Sequence, residues 1–156
     1  MKKYLTAVAL AALAQPAAAT TFPTLTTIYV GAGVINTNHV ATDQGLATSF
    51  HCTNVSGLTA TVRYLVLHSV GTVAGSITRE VPHGATTTAS THGTFLFVDD
   101  TNAIIPGTIV FQGGVNIEST QSGVFCTAMI LDAAAGVPNG IDLHLVRVNP
   151  HPGTVE

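Results

Sequence analysis

Leu46-Ala47-Thr48-Ser49-Phe50-His51-Cys52 decides how this chain is read. Leu46, Thr48, Phe50 and Cys52 fall on one side of an alternating pattern, and Ala47, Ser49 and His51 on the other. Successive side chains of a β-strand face opposite ways, so the stretch reads as a half-buried strand. It ends in one of the two cysteines; the other, Cys126, lies in a second apolar run, Gly123 to Leu131. A bond between them would staple two strands that are far apart in the chain.

Working outward, the first residues stand apart from the rest. Lys2 and Lys3 precede an apolar run, Tyr4 to Ala14, followed by Pro16 and the small residues Ala17, Ala18 and Ala19. This is the pattern of a secretory signal peptide cut after Ala19. The apolar run is too short to span a bilayer, and no later stretch reaches spanning length uninterrupted. The expected organisation is a signal peptide over 1–19 and a single domain over 20–156. That domain would be exported, to the periplasm or to the bacterial surface and medium, with no membrane insertion after cleavage.

Residues 20–156 keep three cations, Arg63, Arg79 and Arg147, against eight acids, a formal charge of −5 with no lysine at all. Nucleic acid and anionic lipid both require a basic footprint, so neither is an expected partner. Low charge with abundant Thr, Val, Ala and Gly suits β-structure, where branched side chains fit the pleat. In an exported chain two cysteines read most simply as one disulfide. Closing so long a loop would contribute about 4 kcal/mol on chain-entropy reasoning.

Alternation and turn residues divide the domain into short strands: Thr26–Val30, Leu46–Cys52, Thr59–His68, Thr72–Val81, Ala85–Ser90, Thr94–Val98, Thr108–Phe111, Val115–Ser119, Gly123–Leu131 and Ile141–Val148. Thr20–Thr27 reads as an exposed lead-in, Gly31–Gly45 and Asp99–Asn102 as loops, and Asn149–Glu156 as a tail. No window after the first nineteen residues has helical periodicity. The expected class is all-β, a two-sheet antiparallel β-sandwich with one inter-strand disulfide. The cysteine placement resembles the inter-sheet bond of immunoglobulin-like sandwiches in architecture only, since the tryptophan that packs on that bond is absent.

The chemistry-bearing residues are few. None of the seven histidines forms a metal-binding pair by spacing, and Met129 follows Cys126 with no histidine between, so no copper or zinc motif is present. If a metal site exists, His51 on the outward side of its strand is the first candidate, with His144 as partner. Asp99, Asp100 and Asn102 are candidate Ca²⁺ ligands, without the spacing of an EF-hand. Glu80 and Glu118 could form a glycosidase pair, and Asn54-Val55-Ser56 is a formal glycosylation sequon. There is no Gly-x-Ser-x-Gly or His-Glu-x-x-His.

The expected function is therefore a non-catalytic structural or interaction module of the bacterial surface or periplasm, with no catalytic residue and no cofactor. Its alternatives are a metal- or Ca²⁺-binding sandwich, and a hydrolase whose site is built from distant residues. The expected partners are a second copy or another exported protein, joined through sheet edges. Ala85–Ser90 would be the acceptor edge and Thr20–Thr27 the donor. The disulfide has a direct check: mass spectrometry of non-reduced protein from an oxidising compartment should find Cys52 and Cys126 bonded, and two free thiols would contradict it.

Overall fold

The computed structural model describes residues 21–37, 44–97, 99–137 and 139–148, with the side chains of 21–23 left aside. The expected signal peptide, His39, His151 and the expected tail lie outside the described residues. The alternating pattern yields ten strands and, among the described residues, no helix. They are β1 (Thr21–Asn36), β2 (Leu46–Asn54), β3 (Ala60–Leu67), β4 (Val73–Val81), β5 (Thr86–Ser90), β6 (Thr101–Asn102), β7 (Val110–Gln121), β8 (Val124–Asp132), β9 (Ile141–Leu143) and β10 (Leu145–Arg147).

All ten belong to one hydrogen-bonded sheet, ordered β4-β3-β7-β1-β2-β5-β6, with β8 also on β2, β9 on β8 and β10 on β1. The sheet curls nearly into a barrel and does not resolve into two clearly separate sheets. The ends of the path approach each other without ladder bonds. The backbone of Ala103 and Ile104, just after β6, lies against Gly75 of β4, and Arg79 of β4 donates to the Thr101 hydroxyl at 2.8 Å.

The interior follows from one face of each strand. Ala60, Val62, Tyr64 and Val66 of β3 alternate with half-buried neighbours, and Val115 and Ile117 of β7 meet them across the ladder. Phe50 of β2 stacks on Tyr64 with ring centroids 6.0 Å apart, tying the two halves of the curl together. Burial pushes the Tyr64 phenol well above its usual ionisation range, and Thr87 of β5 offsets this only in part.

The disulfide joins Cys52 to Cys126, which face each other directly on the adjacent antiparallel strands β2 and β8. It is an inter-strand bond within one wall of the curl, unlike the inter-sheet bond whose placement it resembles in sequence. The Cα separation of 4.2 Å is that of a pair whose own amide groups point away from each other.

Several segments fold differently from their sequence reading. Thr21–Thr27 is the start of β1, paired with β7 at Thr21, Thr26 and Thr27, so it is consumed within the chain rather than offered as a donor. β1 also continues through Gly31 and Gly33 to Asn36, where a loop is expected. The strands expected at 108–111 and 115–119 are one strand, β7, which passes through Gly113 and Gly114 by irregularities in its register with β1. A Cβ on Gly113 would sit 2.5 Å from the Leu67 carbonyl oxygen, so glycine there lets three strands close up instead of ending one. β5 is not a bare edge, because β6 pairs with its last two residues.

Thr94–Phe97 is not a strand. Asp100 accepts from the Thr94 amide at 3.0 Å and its hydroxyl at 2.9 Å, and the Asp100 amide donates to the Phe97 carbonyl at 3.0 Å. These local bonds outcompete a ladder. The segment crosses the outer side of β2 and β8, where the Phe95 amide donates to Ala133 and the Thr91 amide to Thr48. On this side Ala47, Ser49, Leu131 and Ala133 are buried, outside the main core cluster, and the Ser49 hydroxyl also accepts from Ser90 of β5 at 2.9 Å. From Ala47 to Phe50, β2 is thereby buried on both faces, not one.

The closure between β4 and β6 gives a test. A Cβ on Gly75 would lie 2.5 Å from the Ile104 Cα and 2.7 Å from the Ala103 oxygen, both backbone atoms that cannot swing aside. Gly75→Ala should lower unfolding free energy in urea by about 1–3 kcal/mol, whereas Ser76→Ala on the exposed side should leave it nearly unchanged.

Candidate functional site

The last strand is where the wall is least complete. Ile141–Leu143 pairs with β8, through Ala128↔Leu143, and Leu145–Arg147 pairs with β1, through Gly31↔Leu145. The stretch expected as one strand over Ile141–Val148 is split at His144, because its two halves hold different neighbours. Two open cavities flank the split. One, of about 340 Å³, is lined by Cys126, Thr127, Ala128, Asp142, Leu143, His144 and Leu145. The other, of about 430 Å³, is lined by Val30, Gly31, Ala32, His144 and Val146. His144 is common to both and exposed.

Register explains the first opening. Val55 donates to Gly123 at 2.8 Å, which by alternation turns the Cys126 amide and carbonyl away from β2 and toward β10. The Val148 amide donates to Ile28, which likewise turns the Leu145 groups away from β1 and toward β8. Continued zipping of β9 would make Cys126 and Leu145 partners, yet no ladder pairing joins β10 to β8 among the described residues. Below that missing rung the wall is closed by side chains. The Arg147 guanidinium lies 4.9 Å from the Phe125 ring centroid and 5.6 Å from that of Tyr29, and donates to the Ser122 carbonyl at 2.7 Å.

His51 stands on the outer side of β2, opposite Thr127 of β8 and Thr88 of β5. By register, His144 follows the residue paired with Ala128, so His51, Thr127 and His144 fall along one row. Thr127 stands between the two histidines in that row. The His51 Nδ1 is 3.1 Å from the Thr88 hydroxyl, and its ring meets Phe97 edge-on at 4.4 Å between centroids. Its Nε2 is buried without a hydrogen-bond partner. Burial lowers the imidazole's proton affinity, and the Asp100 charge partly restores it.

The acidic candidates are dispersed in role. Asp99 is exposed, Asp100 is engaged with Thr94, and Asn102 is carried onto β6 opposite Ser90. Among the described residues no group of three His, Cys, Asp or Glu side chains is arranged to hold a metal ion. Glu80 accepts from Thr61 at 2.6 Å, and Glu118 is ion-paired with Arg63 directly across the ladder. Asn54 of the sequon is buried, donating to Leu58 and Val81 and accepting from the Ser56 amide, so its amide is structural and out of reach of a glycan-transferring enzyme. Sequence reasoning missed the buried His92, whose ring lies 2.5 Å from the Asn36 side-chain oxygen and 2.9 Å from the Gln44 carbonyl. A lone histidine in a polar stretch carries no signal of such a role.

Comparison of the chain with protein-family models, with curated proteins and with solved structures finds no match. Arg147 is the testable element of the split wall. Arg147→Ala should cost about 1–3 kcal/mol in urea unfolding, and Arg147→Lys should recover little, because an ammonium cannot stack and donate as the planar guanidinium does.

Proposed function

We propose that this chain is a non-catalytic interaction module that works in an exported setting, in the periplasm or at the cell surface. The observation that carries the reading is the outer surface. Phe111, Phe125, Ile141 and Val146 are exposed to between 51% and 70% of their area, on a domain with very few charges. Exposed aromatic and branched side chains on a surface with few charges suit protein contact. The Cys52–Cys126 bond supports an oxidising compartment. A finer reading of the curl is a flattened barrel with two five-stranded walls, β4-β3-β7-β1-β10 and β6-β5-β2-β8-β9, which is the form an immunoglobulin-like sandwich would take here.

The partner in this reading is another exported protein, contacted through faces more than through strand edges. The β4 edge is approached by Ala103 and Ile104, and β6 offers only two residues. A photo-crosslinking residue placed at Phe111 or Val146 in exporting cells should give a discrete adduct with another exported protein, and one at Thr78 should not. Turnover of any member of an ester, glycoside and peptide substrate panel by the purified protein would overturn the reading in favour of a hydrolase. Adducts found only between identical chains would overturn the choice of partner.

A further inference from the structure

We propose that Thr94–Phe97 is an acid-released cover over the outer face of β2 and β8, with His51 as its trigger. Its upstream neighbours Thr91 and His92 are buried and firmly bonded, to Thr48, Ile35, Asn36 and Gln44. Beyond them the segment is held to the sheet by the Phe95 amide to Ala133 at 2.8 Å, and within itself by Thr94 to Asp100 and the Phe97 amide to the Thr94 hydroxyl at 3.3 Å. Beneath it lie Ala47, Ser49, Leu131 and Ala133, an apolar and hydroxyl-lined strip separate from the main core. Phe97 rests edge-on against the His51 ring.

The covered state suits a neutral imidazole. With Nδ1 on the Thr88 hydroxyl, the buried Nε2 is left as a lone pair, the cheaper of the two unsatisfied forms. Protonation turns Nε2 into a buried donor with no acceptor in place. The elements packed around the ring offer little charge to meet it. Thr88 on β5 and Phe125, Thr127 and Met129 on β8 are uncharged. On the cover side, Asp99 is exposed, and His92 is turned toward Asn36 and Gln44. Asp100 acts on the ring through its charge, and its Oδ2 is bonded to Thr94. An acceptor for the new donor comes from Asp100 leaving Thr94 or from water entering past Phe97, and either loosens the cover.

Linkage sets the sign. Burial under the cover holds the His51 proton affinity below that of an open ring, so protons favour the open form by the factor by which opening favours protonation. The cover is therefore fully favoured above about pH 6.5, the ordinary histidine value, and weakens as pH falls below it. Burial is the larger influence on the ring and the Asp100 charge the smaller, opposing one.

Amide hydrogen exchange on the whole protein at pH 7.5 and 5.0, corrected for intrinsic rates, tests this. Protection of the Phe95 and Phe97 amides should fall several-fold at pH 5.0 while β3 amides keep theirs. His51→Phe should hold the two amides equally protected at both pH values. Asp100→Asn, which keeps an oxygen for Thr94 but removes the charge that partly restores the ring's proton affinity, should make the loss of protection at pH 5.0 larger. Unchanged wild-type protection of Phe95 and Phe97 across this range would overturn the proposal, as would an undiminished acid response in His51→Phe. If His51→Phe fails to fold, the NMR titration of the His51 ring decides. A midpoint coinciding with the loss of Phe97 protection supports the trigger, and a midpoint unrelated to it removes His51 from the role.

Discussion

The covalent pairing of Cys52 with Cys126 fixes the register on which the rest of the wall is built. In an antiparallel ladder a slip of one residue turns every side chain to the opposite face. Here the slip is forbidden two pairs from one end of a nine-residue pairing, which runs from Leu46↔Asp132 to Asn54↔Val124. Phe50 and Ala128 are thereby directed to the core, and His51 and Thr127 outward. The bond also stands next to the missing rung: the Cys126 amide and carbonyl face β10 without a ladder partner. A crosslink at that position secures β8 from the β2 side where its other side is least supported.

The alternation at Leu46–Cys52 was enough to place β2, its direction and its core face, because period-two patterning is set by the strand itself. It was not enough to show that Ala47 and Ser49 are buried too. Their cover comes from Thr91–Phe97, and that segment owes its shape to Asp100 bonding back to Thr94 six residues earlier. Thr-Phe-Leu-Phe-Val has every local mark of a strand. The side chain that unmakes the strand lies beyond its end. The glycines of β1 misled in the opposite sense. Gly31 is a ladder residue whose missing side chain makes room for Leu145, the Cδ2 of which would lie 2.7 Å from a Cβ there. A glycine required for close approach and one required for a turn look alike in sequence.

The same reasoning applies to the candidate residues. His51 was legible as an outward side chain on a strand, since that follows from parity alone. Its contact with Phe97 and its exposure to the Asp100 charge depend on the misread segment, so they were out of reach. His144 was legible as a strand residue, yet its position between two cavities follows from β9 and β10 holding different neighbours. Leu143 and Leu145 have the same parity and both turn inward. The local sequence contains nothing that says where one partner is exchanged for the other.

Sheet edges without lysine have to be protected some other way. In this chain the protection is steric. Ala103 and Ile104 lie against β4 at Gly75, Arg79 reaches Thr101, β6 pairs with the end of β5, and Arg147 fills the gap beside Phe125. Of these devices only the two arginines use charge, and both use it in directional hydrogen bonds rather than as a repulsive field. The chain therefore carries few charges on its outer faces and guards its edges at these points, although β4 has a ladder partner only in β3. In the proposed reading, this arrangement leaves apolar side chains such as Phe111 and Val146 exposed for a partner, while the approached edges would leave less room for the strand addition that a threonine-rich composition favours.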